Sequence, residues 1–201
     1  IAAYNEGYDV LEPTIQAVVD TTYDNDHLIL VLAYEERGGK EIEDVAKKLH
    51  KKFAGKFKAF HLVKHPPDLT DEVVGKGANI TYAGQFLAGW LNEHKISFHD
   101  VIVTTLDSDN RPHVGYFDYV TYEYIAHENR LHLSYQPISL FLNNIWDAPA
   151  PMRVVATGNS FWNIISSMRP HTLRNFASHS QPMAALAAMD FWSKRTIVED
   201  G

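Results

Sequence analysis

Asp107-Ser108-Asp109 places two carboxylates one residue apart at the end of an apolar run, Val101-Ile102-Val103-Thr104-Thr105-Leu106. If that run is a buried strand, both acids can point to one side of its sheet. Other apolar runs end in polar text as well: residues 1–4 lead into Asn5-Glu6, residues 28–33 into Tyr34-Glu35-Glu36-Arg37, and Thr196-Ile197-Val198 into Glu199-Asp200. Ligands of open parallel sheets bind beyond the carboxyl ends of the strands, so these acids are expected to gather along one edge. Carboxylates crowded in a cleft repel one another unless a cation neutralises them. Magnesium or manganese suits that need, since each takes one or two protein carboxylates and completes its shell with water and substrate phosphates. A diphosphate-bearing ligand is the expected partner of such an edge.

Gly75-Lys76-Gly77-Ala78-Asn79 stands where a helix should open, and free amides at a helix N-terminus favour an anion. It is not a phosphate-binding P-loop, because the upstream glycine and the Ser or Thr after the lysine are missing, and it lacks the full dinucleotide fingerprint. A calcium loop is excluded at Asp107, because Arg111 and Pro112 stand where an oxygen ligand and the turn glycine are needed. Neither HExxH nor GxSxG occurs, which leaves zinc-protease and serine-hydrolase chemistry without an anchor. The 11 histidines are scattered; His61 and His65 straddle a strand end, and His94 and His99 flank a loop.

The elements that must position these residues alternate. Strands are expected at 1–4, 28–33, 59–63, 101–106 and 131–135, and helices at 11–21, 41–53, 78–94 and 115–126. This β-α-β winding predicts an α/β domain with a mostly parallel central sheet flanked by helices. After Tyr135 the text turns rich in aromatic residues, Asn and Pro, with a small-residue helix near 182–192. Phe141, Leu142, Ile145, Trp146, Phe161, Trp162, Ile164 and Ile165 are expected mainly in core packing, with a lid, an acceptor wall or a docking surface as alternatives.

With 201 residues, 45% of them hydrophobic, the chain can bury one substantial core, and a single domain is expected over 1–201. No cysteine is present, so neither disulfides nor cysteine-ligated zinc contribute. A net charge of -7 argues against nucleic acid as a partner. The lysines crowded over 47–64 fit a solvated helix face, because Ile42, Val45, Ala46, Leu49 and Phe53 supply a buried stripe at helical spacing, with anionic lipid or a polyanion as the alternative that such a face could meet. No apolar run approaches the ~20 residues of a membrane span. Residues 1–4 read as the second half of a strand, and the chain stops after an acidic pair, so both ends are expected to be cut from a longer protein.

Taken in order, Ala3-Tyr4-Asn5-Glu6, Gly75-Lys76-Gly77-Ala78-Asn79, Asp107-Ser108-Asp109 and Val198-Glu199-Asp200 resemble the motifs of family 2 glycosyltransferases. These enzymes have the GT-A type of Rossmann-like fold, and the likeness extends to the cellulose, chitin and hyaluronan synthase branch. The resemblance implies metal-dependent transfer of a sugar, with inversion, from a nucleoside diphosphate sugar to an acceptor hydroxyl. It implies a donor half over 1–135 and an acceptor half over 136–201. Asp107 and Asp109 would hold Mg2+ or Mn2+, and Asp200 would act as base. Asn5, Glu6, Glu35, Lys76, Asn79 and Asp107 would contact the donor, a UDP-sugar in the favoured case. Gly158, Asn159 and Glu199 would line the side of a sugar or lipid acceptor. The longer protein would carry membrane helices and work at the cytoplasmic face. The chain departs from the family at Glu35-Glu36-Arg37, where Asp-Asp or Asp-Gly is usual, and it lacks the Gln-x-x-Arg-Trp motif of processive members. Two other classes compete: a nucleotidyltransferase on a similar sheet, and a non-catalytic sugar-nucleotide-binding module.

Overall fold

A computed structural model describes residues 1–142, 145–169 and 178–195. Strands β1 (Ala2–Ala3), β2 (Ile29–Glu35) and β3 (Ala59–His65) form a parallel sheet in that order, with Ala2 opposite Ala33 and Ile29 opposite Ala59. Strand β4 (Ile102–Thr105) pairs antiparallel with β5 (His179–Pro182), and the Ala2 amide donates to the Leu106 carbonyl at 3.3 Å, bringing the end of β4 beside β1. The helices are α1 (Tyr8–Val19), α2 (Gly39–Phe53), α3 (Lys76–Glu93), α4 (Tyr116–Ala126), α5 (Ala150–Ser167) and α6 (Met183–Ala188).

Strand alternation explains why helices cover both faces of the sheet. Leu30, Leu32 and Tyr34 pack in one cluster with the α1 residues Leu11 and Ile15 and the α2 residues Ile42, Leu49 and Phe53. Their neighbours Ile29, Val31 and Ala33 turn the other way, toward Ala83, Leu87 and Leu91 of α3. Period-2 apolar text therefore serves two helix layers at once, as parallel strands buried on both faces require. Each fully buried Leu, Ile or Phe contributes about 1.5–3 kcal/mol, so these layers dominate the stability of the sheet.

The α/β class and the parallel winding agree with the sequence expectation, as do four helices to within a few residues at each end. Residues 131–135 depart from it. No strand forms there: Arg130–His132 is a short 3-10 turn, and Tyr135 makes only an isolated bridge to Ser180. Strand β5, rich in polar residues, takes the place beside β4 instead. A second departure is α5, 18 helical residues in which none is buried. The expected core role of Phe161, Trp162, Ile164 and Ile165 does not hold, because all four are exposed. The short apolar run at 196–198 lies outside the described residues.

Candidate functional site

Several loops meet beyond the carboxyl ends of the parallel strands. The loop after β1 carries Asn5, which is exposed, and Glu6, whose carboxylate accepts the Tyr4 amide at 2.6 Å. At the end of β2, Glu35 is only 5% exposed and pairs with Arg37, whose guanidinium also lies over the Tyr4 ring, 5.3 Å from its centroid. Gly38 permits this approach: a Cβ built there would lie 1.9 Å from the Tyr4 carbonyl oxygen and 2.8 Å from the Ile42 side chain. The first two loops are thus held together by a position that has no room for a side chain.

The opening of α3 supplies the cation. The helix begins at Lys76, as the glycine-rich text predicts, and the Lys76 ammonium meets an Asp107 carboxylate oxygen at 2.5 Å. Residues 31 positions apart in sequence, one at the start of α3 and one after β4, therefore touch at the sheet edge. Both side chains remain partly open to solvent, so the pair adds at most about 1 kcal/mol to stability and is better understood as local charge balance. Asp109 beside it is exposed.

Asp107-Ser108-Asp109 is tied down by its surroundings. Thr14 of α1 donates its hydroxyl to the Ser108 carbonyl at 2.8 Å, and the Asn110 amide donates to the Asp107 carbonyl at 3.1 Å. The Asn110 side chain donates to Ser178 Oγ at 2.7 Å, linking the loop to the segment before β5. None of these partners was singled out in the sequence. A Thr within an apolar helical stripe is the signal that could have found one of them, since a buried hydroxyl must find an acceptor.

Asn79 is turned into the fold. It is 2% exposed, and its amide nitrogen lies 3.3 Å from both the Ala3 and the Ala33 carbonyl oxygens. Ala3 ends β1 and Ala33 lies in the neighbouring β2, two residues before its end, so Asn79 ties β1 to β2 close to the edge. Its carboxamide oxygen is buried without a hydrogen-bond partner. Its amide nitrogen is thus engaged with the backbone of both strands rather than turned to solvent.

The expected crowd of free carboxylates is, among the described residues, partly neutralised by the protein itself, with Glu6 meeting the Tyr4 amide and Glu35 and Asp107 meeting cations. Glu35 has Arg37, Asp107 has Lys76, and no group of three or more His, Cys, Asp or Glu residues comes together as around a metal ion. The donor set a metal would find here is the Asp107-Asp109 pair, two carboxylates, which suits magnesium or manganese completed by phosphate and water. Glu199 and Asp200 lie outside the described residues. Gly158 and Asn159 sit in the middle of α5, exposed, and among the described residues no hydrogen bond or ion pair joins them to the edge.

Histidines take structural places. His61 and His65 both belong to β3, which runs two residues further than expected. His61 packs between the rings of Phe86 and Trp90, and His94 stacks on Trp90 at 3.9 Å. His65 is buried and meets Glu72 at 3.0 Å, with Lys194 at 3.7 Å from the same carboxylate. Beside them Glu35, Arg37, Gly75 and Ala78 enclose a hollow of about 20 Å³, room for a single water. A larger cavity of about 350 Å³ lies between β2 and β4 and is lined by Ile29, Val31, Leu87 and Val103. Neither Lys76, Asp107 nor Asp109 lines it, so it is an apolar gap beside the short β1 and separate from the charged edge.

No family model matches this chain, and neither does any curated protein or solved structure.

Proposed function

We propose that this chain is the donor-binding catalytic domain of a metal-dependent inverting glycosyltransferase with the GT-A form of the Rossmann-like fold. The observation that supports the reading best is the Lys76-Asp107 contact across the strand ends. Lys76 neutralises Asp107, two residues before Asp109 in the same loop. A nucleoside diphosphate sugar brings two phosphates that compete for the ammonium. Lys76 would then contact phosphate, and Asp107 with Asp109 would be the residues that hold Mg2+ or Mn2+. When bound, that ion supplies Lewis-acid offset of the charge growing on the departing diphosphate.

The chain's other residues bind, orient and move a proton. Asn5, Glu6 and the Glu35-Arg37 pair border the nucleoside, while Asn79 ties β1 to β2 close to them. Asp200 takes the proton from the acceptor hydroxyl as its oxygen attacks the anomeric carbon from the face opposite the diphosphate. Glu199, Gly158 and Asn159 belong to the acceptor side. A UDP-sugar is the favoured donor, a sugar or lipid hydroxyl the acceptor, and the cytoplasmic face of a membrane the place of action.

A thermal-shift panel of nucleoside diphosphate sugars, nucleoside triphosphates and free sugars, each with manganese or with a chelator, tests this reading. A manganese-dependent rise in melting temperature with a diphosphate sugar is expected, and Asp109→Asn should abolish the rise while melting normally on its own. A shift produced only by triphosphates, followed by pyrophosphate release, would favour a nucleotidyltransferase. Binding with no sugar transfer in a chain that includes Asp200 would favour a sensor module.

A further inference from the structure

Glu72 is an acid that the proposed chemistry does not use, set in the irregular loop 66–75 between β3 and α3. Its side chain is only 11% exposed, and a carboxylate taken that far from water is costly unless it is paired. Two groups pair it. At the last residue of β3, His65 Nε2 lies 3.0 Å from one carboxylate oxygen, and the Lys194 ammonium lies 3.7 Å from the other. The Val73 amide, next in the chain, donates to the Lys194 carbonyl at 2.8 Å. The loop is therefore fastened at Glu72 and Val73, immediately before Val74-Gly75-Lys76.

Lys194 is itself anchored to α3. Two residues before it, the Trp192 amide donates to Thr81 Oγ1 at 3.2 Å, and the Thr81 hydroxyl donates to the Trp192 carbonyl at 3.0 Å, with Thr81 fully buried. Phe191 lies against Gly84, where an added Cβ would stand 2.7 Å from the ring. The segment 191–194 thus meets Gly84, then Thr81, then Val73, running along α3 toward its N-terminus. Strand β3, the loop, this strap and α3 close a circuit with Glu72 at the junction. Lys76 is the first residue of α3 beyond it, and its ammonium reaches Asp107 at 2.5 Å. Ordering one loop residue costs about 1–2 kcal/mol, so a loop already held spares the charged edge that cost.

We propose that Glu72 is a positioning residue for Lys76: by joining the end of β3 to the 191–194 strap, it sets where the Lys76 ammonium stands at the charged edge. The consequence for a diphosphate rests on the transferase reading, whereas the placement of Lys76 against Asp107 does not. Lysine acylation by a succinimidyl ester, read residue by residue by mass spectrometry in the ligand-free chain, tests the placement, because acylation needs the free amine and an ammonium paired to a carboxylate reacts slowly. Glu72→Ala should raise the Lys76 rate several-fold, while Lys64, held by Glu36 at 3.0 Å, keeps the parent's rate. Glu72→Gln retains an oxygen for the His65 ring and should stay near the parent. An unchanged Lys76 rate in Glu72→Ala, a rise that Lys64 shares, or an equal rise in Glu72→Gln would each overturn the proposal. Calorimetry of UDP with manganese separates this role from the transferase reading. Glu72→Ala should weaken binding about fivefold in the parent and have no effect in Lys76→Met, since a residue that acts through Lys76 loses its effect with it. Equal weakening in both backgrounds would overturn the positioning role. A parent that binds no UDP, with Lys76 labelling raised as expected, would sink the transferase reading and leave the placement of Lys76 standing.

Discussion

Helices α2 and α5 share a spacing and differ in what they do with it. In α2 the inward residues are Ile42, Ala46, Leu49 and Phe53, steps of four, three and four, and all are buried against β2 and β3. In α5 the residues Val154, Gly158, Phe161 and Ile165 follow the same steps and face outward. The other sides differ more. On α2 it carries ions, with Lys47 paired to Glu43 at 2.5 Å and Lys52 to Glu12 at 2.5 Å, as a solvated face does. On α5 it carries Ser160 and Asn163, whose hydrogen bonds face the protein. Apolar periodicity states that a stripe exists, whereas the chemistry of the opposite stripe states which side meets the protein.

That contrast breaks if the two stripes respond alike to truncation. Phe53→Ala removes a fully buried ring from the α2 stripe and should lower stability by about 3–5 kcal/mol in a denaturant titration. Asn79→Ala leaves the Ala3 and Ala33 carbonyls without their donor and should cost about 1–3 kcal/mol, with weaker protection of the β1 amides in hydrogen exchange. Phe161→Ala on α5 is expected within about 0.5 kcal/mol of the parent, because the ring is exposed. A loss at Phe161 as large as that at Phe53 would show that α5 packs inward.

Acid sharpens the picture of the α3 side of the sheet. Burial between Phe86 and Trp90 pushes the His61 imidazole below its ordinary value of 6.5, with His50 and His94 adding to the shift. The unfolded chain then binds a proton that the folded chain resists, so the stability contributed by neutral His61 is present above pH 6.5 and is lost as pH falls through the lower folded value. His61→Gln should shrink the difference in melting temperature between pH 7 and pH 5. An unchanged difference would assign the acid sensitivity elsewhere.

Much of the parallel half was legible because each element there obeys one local rule. Leu28 to Ala33 reads as a strand from its unbroken β-branched and leucine text, and Lys76 opens a helix where glycine-rich text ends. The Asp107 loop was located by the apolar run before it. The clamp by Asn79 was not legible, because an Asn in a helix N-terminal turn looks the same whether it meets a ligand or two strand carbonyls. Neither was β5, whose His-Ser-Gln-Pro text carries no β signal and pairs with β4 through Ser180 and its hydroxyl contacts with Thr104 and Tyr116. The balancing of Asp107 by Lys76 required tertiary placement, since 31 residues separate them.

Isothermal calorimetry of UDP binding, with manganese and with chelator, in the parent chain and in Asp107→Asn/Asp109→Asn, tests most directly whether the charged edge is a diphosphate site. Binding in the parent should weaken at least about tenfold, about 1.4 kcal/mol, when manganese is removed, and the double variant should bind no better with manganese than without. Equal affinity for UDP in all four titrations, or no binding in any of them, would contradict the account.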